Sequence, residues 1–313
     1  MSAIYRDSAF CGEAAAAAAD LAGRDLSGAN LAGKNLSGAD LTRCNLRGAD
    51  LSGAQLDGAD LLAADLTEAR LDHCSARRAN FGGTRCGHAS FFQADLGGAT
   101  LSNASLEHAD FRAACLGHAR LRDASLVHAN FARADLREAD LEASDLDHAH
   151  FDGANLRGAH LENVRGYRHA SWIGADIRDV DFCGAYMVRR HIRDENYLAE
   201  FRRASRAHGL LYWLWRVTSD CGRSIARWAL WTVALALLFG VIFQQSAIDY
   251  GPHPSALSPY YFSFVTLTTL GYGDVVPASS TAQVLVVIEV FCGYLALGGL
   301  LSIFANKMAR RAD

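Results

Sequence analysis

From Leu21 to Leu161 every fifth residue is Leu or Phe, with Ala76 and Cys86 the two exceptions among 29 positions. Ala nearly always stands two residues before each of these centres. Asp, Asn, Ser, Thr or another mostly polar residue stands just before it. A period of five fits neither a helix at 3.6 nor a strand at 2.0. It does fit a solenoid whose faces are one pentapeptide long, with Leu or Phe and the small Ala pointing inward and the remaining positions facing water. The centres also set the number of faces. Phe91, Phe111, Phe131 and Phe151 lie twenty apart, as do His88, His108, His128 and His148. Four pentapeptides per turn would stack each set in its own column, about 4.8 Å apart like neighbouring strands. A three- or five-sided coil would scatter them.

The phrase GADLSGAQLDGADL carries the pattern A(D/N)LXX, and residues 20–188 resemble the pentapeptide-repeat family. The resemblance implies a right-handed quadrilateral β-helix. After Leu161 the phase slips by one, which puts the next centres at Trp172, Ile177, Phe182 and Met187 and predicts a bulged corner within 162–170. About eight coils would give a rod of roughly 40 Å. The AAAAAAD run at 14–20 lacks a basic n-region, so residues 1–19 read as a short cap on the repeats and not as a secretory signal. The eight cysteines are scattered without a C-x-x-C pair. Cys44, Cys74 and Cys86 take positions where the repeat wants a small or apolar residue, and they read as buried thiols of a reducing compartment. The histidine column has two readings: a solvated corner that tolerates any polar side chain, or stacked imidazoles that bind a transition metal or sense pH. Some pentapeptide-repeat proteins mimic DNA and bind topoisomerases. A solenoid joined to a membrane segment argues against that, and no nucleic-acid partner is expected.

Charge changes along the chain. Residues 1–188 hold 18 basic and 26 acidic side chains, residues 189–227 hold 9 and 4, and residues 228–306 contain no Lys or Arg. That order suggests a soluble domain, then a membrane surface, then membrane. In the basic collar (189–223), Tyr197, Leu198 and Phe201 recur at helical spacing, and Tyr212, Trp213 and Trp215 cluster beside Arg216, Arg223 and Arg227. Such a segment suits a helix lying at the cytoplasmic interface, or an interdomain helix packed on the last coil. Residues 225–243 and 284–305 are apolar and long enough to cross a bilayer. Basic residues precede the first span and follow the second (Lys307, Arg310, Arg311), while the loop between has none. The positive-inside rule then places both termini and the repeats in the cytoplasm, in a multi-pass protein of the cell inner (plasma) membrane.

Between the spans, Ser258-Pro259 suits a helix N-cap and first position, and an aromatic helix too short to span follows to about Thr268. Then comes TTLGYGD. Two glycines two apart let the backbone turn successive carbonyls the same way. A ring of such carbonyls from four subunits can replace the hydration shell of a potassium ion, and non-helical backbone at membrane depth is tolerated only along such a path or buried in protein.

Residues 224–306, through T-[VIL]-G-Y-G-D, resemble the two-transmembrane bacterial potassium channels. The resemblance implies an all-α membrane pore domain with two transmembrane helices and a re-entrant pore helix, assembled as a homotetramer. Potassium would be the permeant ion, with no cofactor. It further implies that the Thr269 hydroxyl and the carbonyls of Thr269, Leu270, Gly271 and Tyr272 form the ion sites. Gly273 and Asp274 would finish the outer mouth, with Thr268 in support. Leu270 replaces the commoner Val. Gly293 falls where the family's gating hinge glycine would lie; a small residue for close helix packing is the other reading. Glu289, one turn earlier on the same face, either faces the cavity or sits behind the filter hydrogen-bonding the pore helix. Residues 307–313 form a short tail. No regularly spaced Arg helix precedes the pore, and no nucleophile–base constellation, P-loop or zinc spacing suggests an enzyme. The expectation is a potassium-selective channel, with the repeats as scaffold or gating module open to an unidentified protein partner. The alternatives are a membrane-tethered binding scaffold and a non-selective cation channel.

Overall fold

Each five-residue phrase folds into one short extended step and one tight turn, and its backbone bonds mostly to the coils on either side. The Leu21 N–H donates to Asp40 O at 2.8 Å, Gly23 N–H to Thr42 O at 2.8 Å, and Asp40 N–H back to Ala19 O at 2.9 Å. Arg24 N–H closes the turn onto Leu21 O at 3.1 Å. This set recurs through the repeats in the computed structural model, which describes residues 19–182, 185–222, 224–251, 254–271, 273 and, with backbone alone from 306, 275–312. The expected cap at 1–19 thus lies almost wholly outside the described residues.

Residues just before the centres pair in parallel with those twenty further on, from Asp20 with Asp40 to Asp145 with Arg165. The coil is therefore four-sided. The step then becomes twenty-one: His150 pairs with Ser171, Asn155 with Asp176 and His160 with Asp181. The extra residue sits between Arg165 and Ser171, inside the predicted bulge.

Two side-chain rules follow from this geometry. The second residue of each turn has positive φ, satisfied by glycines such as Gly23 (φ +67°) and elsewhere by side chains such as His88 (φ +59°). Asn, Asp and His are the non-glycine types that tolerate positive φ best, though Arg43 and Ala63 also hold the position here. The Asp or Asn before a centre accepts from the backbone N–H two residues on, as Asp20 does from Ala22 at 3.2 Å and Asn30 from Ala32 at 3.1 Å. This local turn explains why the position is polar.

The centres and their alanines form one continuous apolar core, and Leu36, Ala39, Leu41, Leu46 and those that follow are fully buried. The phenylalanine column stacks at 4.7 Å, 4.8 Å and 5.1 Å, and Trp172 extends it at 4.5 Å. Cys44, Cys74 and Cys86 are buried thiols while Cys115 is exposed. Burial pushes Cys74 and Cys86 up to about 12. Cys11 and Cys183 lie outside the described residues.

The repeats end earlier than the phase predicts. Ile177 and Phe182 pack on the core, but Met187 belongs to helix α1 (Tyr186–Ala204) and is half exposed. Helix α1 supplies Val188 and Ile192 to the core instead. It also satisfies the backbone of the last coil: Trp172 N–H donates to Glu195 Oε2 at 3.2 Å, Gly174 N–H to Asn196 Oδ1 at 2.6 Å, and Asn196 Nδ2 to Trp172 O at 3.1 Å. A stack of repeats needs such a cap, since its final coil has no neighbour to bond.

The chain divides into two compact units within α1, after Ala199. The second unit comprises α2 (Arg206–Ser219), α3 (Ile225–Gln244), β1 (Ile248–Asp249), α4 (Ser258–Leu267), β2 (Val276–Pro277) and α5 (Ser280–Ala312). The two strands pair antiparallel, Ile248 with Pro277 and Asp249 with Val276. Helix α3 and residues Ser280–Ala305 of α5 are long and apolar enough to cross a membrane, and little of either is buried within the chain. Helix α2 exposes Leu210, Leu211, Trp213 and Leu214.

Candidate functional site

Helix α4 is short, and glycines hold it between its neighbours. A Cβ on Gly240 of α3 would come within 2.4 Å of the Tyr260 ring. One on Gly293 of α5 would come within 2.2 Å of the Leu267 carbonyl oxygen, and one on Gly299 within 2.3 Å of the Trp228 ring. Each position admits only hydrogen, so α3 and α5 close on α4 and on each other more tightly than alanine would allow. Trp228 then donates its indole N–H across to Ala296 O at 2.8 Å.

A polar strut crosses the same layer. Ser263, in the middle of α4, is fully buried and bonds to the Ala236 carbonyl of α3 at 2.8 Å and to Glu289 Oε1 of α5. Glu289 is itself fully buried, and its Oε2 has no partner among the described residues. A serine brings one hydrogen to two acceptors, so an amide or an acid carrying its proton at 289 completes the set. Glu289 thus lies against α4, which fits the second of the two orientations open from the sequence.

The start of α4 departs from expectation. Leu257 is the cap residue, without a side-chain cap bond, and Ser258 is already helical. The Ser258 Oγ instead accepts from Ser255 N–H at 2.8 Å.

Beyond α4 the backbone leaves helical geometry at once. Thr268 caps the helix, its Oγ1 donating to Phe264 O at 2.7 Å. Positive φ then recurs, at Thr269 (+58°), Gly271 (+47°) and Gly273 (+75°). Thr268 to Gly271, and Gly273, are exposed. Among the described residues no donor meets the carbonyls of Thr269, Leu270 or Gly271. Tyr272 and Asp274 lie outside the described residues.

The repeat unit and the helical unit each match a known family. Residues 25–61, 44–83, 89–126 and 124–163 match pentapeptide repeats, and residues 220–310 match the ion channel family. The chain joins a pentapeptide-repeat domain to an ion-channel domain. With its two long apolar helices it is a membrane protein, and neither domain makes it an enzyme. The ion-channel domain is similar to curated plant proteins. Identity is 40% over 80 residues with two pore potassium channel b of Oryza sativa subsp. japonica, covering 25% of this chain and 23% of that one. With two-pore potassium channel 1 of Arabidopsis thaliana it is 43% over 53 residues, covering 17% of this chain and 15% of that one. The chain spans less than a third of the length of either. Among solved structures, the repeat domain is similar to HetL, a pentapeptide repeat protein of the cyanobacterium Nostoc sp. Identity there is 25%, with 56% of this chain and 91% of that one covered and a TM-score of 0.35.

Gly240, Ser263, Trp228 and Gly299 escaped the sequence reading. Small residues inside two apolar spans are their only signal, and that signal does not say which neighbour each one meets.

Proposed function

We propose that four copies of the chain surround a potassium-selective pore in the cell membrane, with Thr269 to Gly273 as the filter. The observation that carries this reading is the recurrence of positive φ at Thr269, Gly271 and Gly273, directly after a short helix lodged between two apolar ones. Alternating hand along a backbone turns successive carbonyls toward one side, where they can take the place of an ion's water shell. Thr269 is β-branched, and holding it at positive φ costs of order 1–3 kcal/mol, strain of a kind that persists at ligand-binding sites. The negative C-terminal end of α4 adds to the attraction for a cation. The plant relatives that match the domain are potassium channels by name, which agrees with this choice of ion.

Tyr272 supplies a fourth carbonyl, Asp274 the outer rim, and Thr268 the support under the filter. Gly293 is where α5 touches the last carbonyl of α4, so a bend there releases the filter's base; hinge and packing contact become one device. Glu289 braces α4 through Ser263 from behind. The basic residues before α3 and at the end of α5 put both termini and the repeats in the cytoplasm. The repeat domain serves there as scaffold or gating module.

Flux into liposomes from the purified chain, under opposed potassium and sodium gradients, tests the proposal. Potassium-selective flux is expected, and Gly271→Asp should abolish the selectivity while the repeats stay folded. Absence of selective flux at every pH and lipid composition tried would overturn it and leave the membrane-tethered scaffold.

A further inference from the structure

The histidine column is longer than its twenty-residue spacing announces. His88, His108, His128 and His148 stack with ring centroids 4.7–4.9 Å apart, and His169 adds a fifth ring 5.2 Å beyond His148. His169 lies twenty-one residues on, because the inserted residue of the bulge falls just before it. Gly166 shapes that bulge. Its φ is +69°, a Cβ there would lie 2.4 Å from the Asp147 backbone nitrogen, and its carbonyl accepts from His169 N–H at 3.0 Å. The tight turn sets His169 against Asp147, with Nδ1 2.6 Å from Asp147 Oδ1.

This end of the column differs in kind from the rest. Asp147, His148 and His169 each offer a ligand atom within 4.8 Å of the other two. His148 Nε2 lies 4.0 Å from Asp147 Oδ2, and the hydrogen bond from His169 holds the Asp147 carboxyl below its usual range. An ion there would take the place of the proton that His169 Nδ1 and Asp147 Oδ1 now share, so that both atoms turn to the metal. Imidazoles with one carboxylate suit borderline ions such as zinc, whereas calcium and magnesium prefer oxygen alone.

We propose that Asp147, His148 and His169 form a binding site for a divalent transition-metal ion of the zinc type at the bulged coil. The side chains are half-buried or exposed on a hydrogen-bonded coil, so the ion binds a preformed surface and the fold does not depend on it.

The test is zinc titration of the full-length chain, made without a histidine tag and held in nanodiscs, with bound zinc counted after equilibrium dialysis. Saturable binding of one ion per chain at this site is expected, unaffected by excess magnesium. His169→Gln, His148→Asn and Asp147→Asn should each weaken it by at least about tenfold. Asn at 148 keeps the positive φ at little cost. His88→Asn, the same change at the far end of the column, should leave affinity unaltered. Melting in the presence of a chelator confirms that each variant is folded. No saturable zinc binding by the native chain, or binding that survives His169→Gln, would overturn the proposal.

Discussion

The two domains reach order by opposite routes. In the repeat domain every coil makes nearly the same bonds as the one before, so no single residue is indispensable and errors stay local. In the ion-channel domain a handful of contacts do the positioning: Gly240 on Tyr260, Gly293 on Leu267, Gly299 on Trp228, and Ser263 between Ala236 and Glu289. Repetition distributes tolerance, whereas the short helix α4 concentrates risk. Substitutions of similar severity should therefore have different consequences in the two places.

The largest loss of stability is expected in the domain that tolerates it best. Phe111→Ala empties the middle of the aromatic column and should cost about 3–5 kcal/mol of repeat-domain stability, read by chemical denaturation. Ion flux should persist, and its loss would show that the domains depend on each other more than the comparison allows. Gly293→Ala should cost about 1–3 kcal/mol as an overpacked contact. Flux assays on the reconstituted chain should nonetheless show near-complete loss, because the added methyl meets a backbone oxygen. Glu289→Ala leaves Ser263 with one partner fewer and should cost about 1–3 kcal/mol in thermal melting, whereas Glu289→Gln should melt close to the native chain. A Gln variant as damaged as Ala would mean that the strut depends on charge.

The smallest effect concerns acid. Asp176 is held down to about 2 by its hydrogen bond from Arg178, Asp135 is lowered by Arg137, and Asp40 is lowered by the Thr42 N–H. Folded carboxylates with depressed values add stability above the unfolded value near 3.9, and lose it as pH falls through the folded one. The repeat domain should thus weaken gradually between about pH 4 and pH 2, as followed by far-ultraviolet circular dichroism. Asp40 is exposed and Asp135 and Asp176 are half-buried, so each adds little and a sharp collapse at higher pH would point to another cause.

The sequence made the repeats legible because each residue's neighbour sits at a fixed numerical distance. Coil size, core columns and even the bulge follow from counting. Counting by twenty misses His169, and the phase alone puts Met187 in a coil because it does not reveal where a helix takes over. The two apolar helices and the glycines at 271 and 273 were readable from composition and motif. The glycine contacts and the partner of Glu289 were not, since they depend on how three helices cross and no periodicity encodes that. Leu257 as the cap breaks the local rule that favours Ser258 there.

The twenty-residue step has a further consequence. Because His88 sits over His108 and Phe91 over Phe111, the coil behaves as a clock face, and removing one whole revolution returns every hand to its hour. Excising 101–120 would bring His88 over His128 and Phe91 over Phe131 and shorten the stack by about 4.8 Å. Neither end would change its partners. Length can thus drift by duplication or loss of whole revolutions while the bulged coil and the α1 cap keep their chemistry. A deletion of nineteen or twenty-one residues would leave every later side chain one hour out.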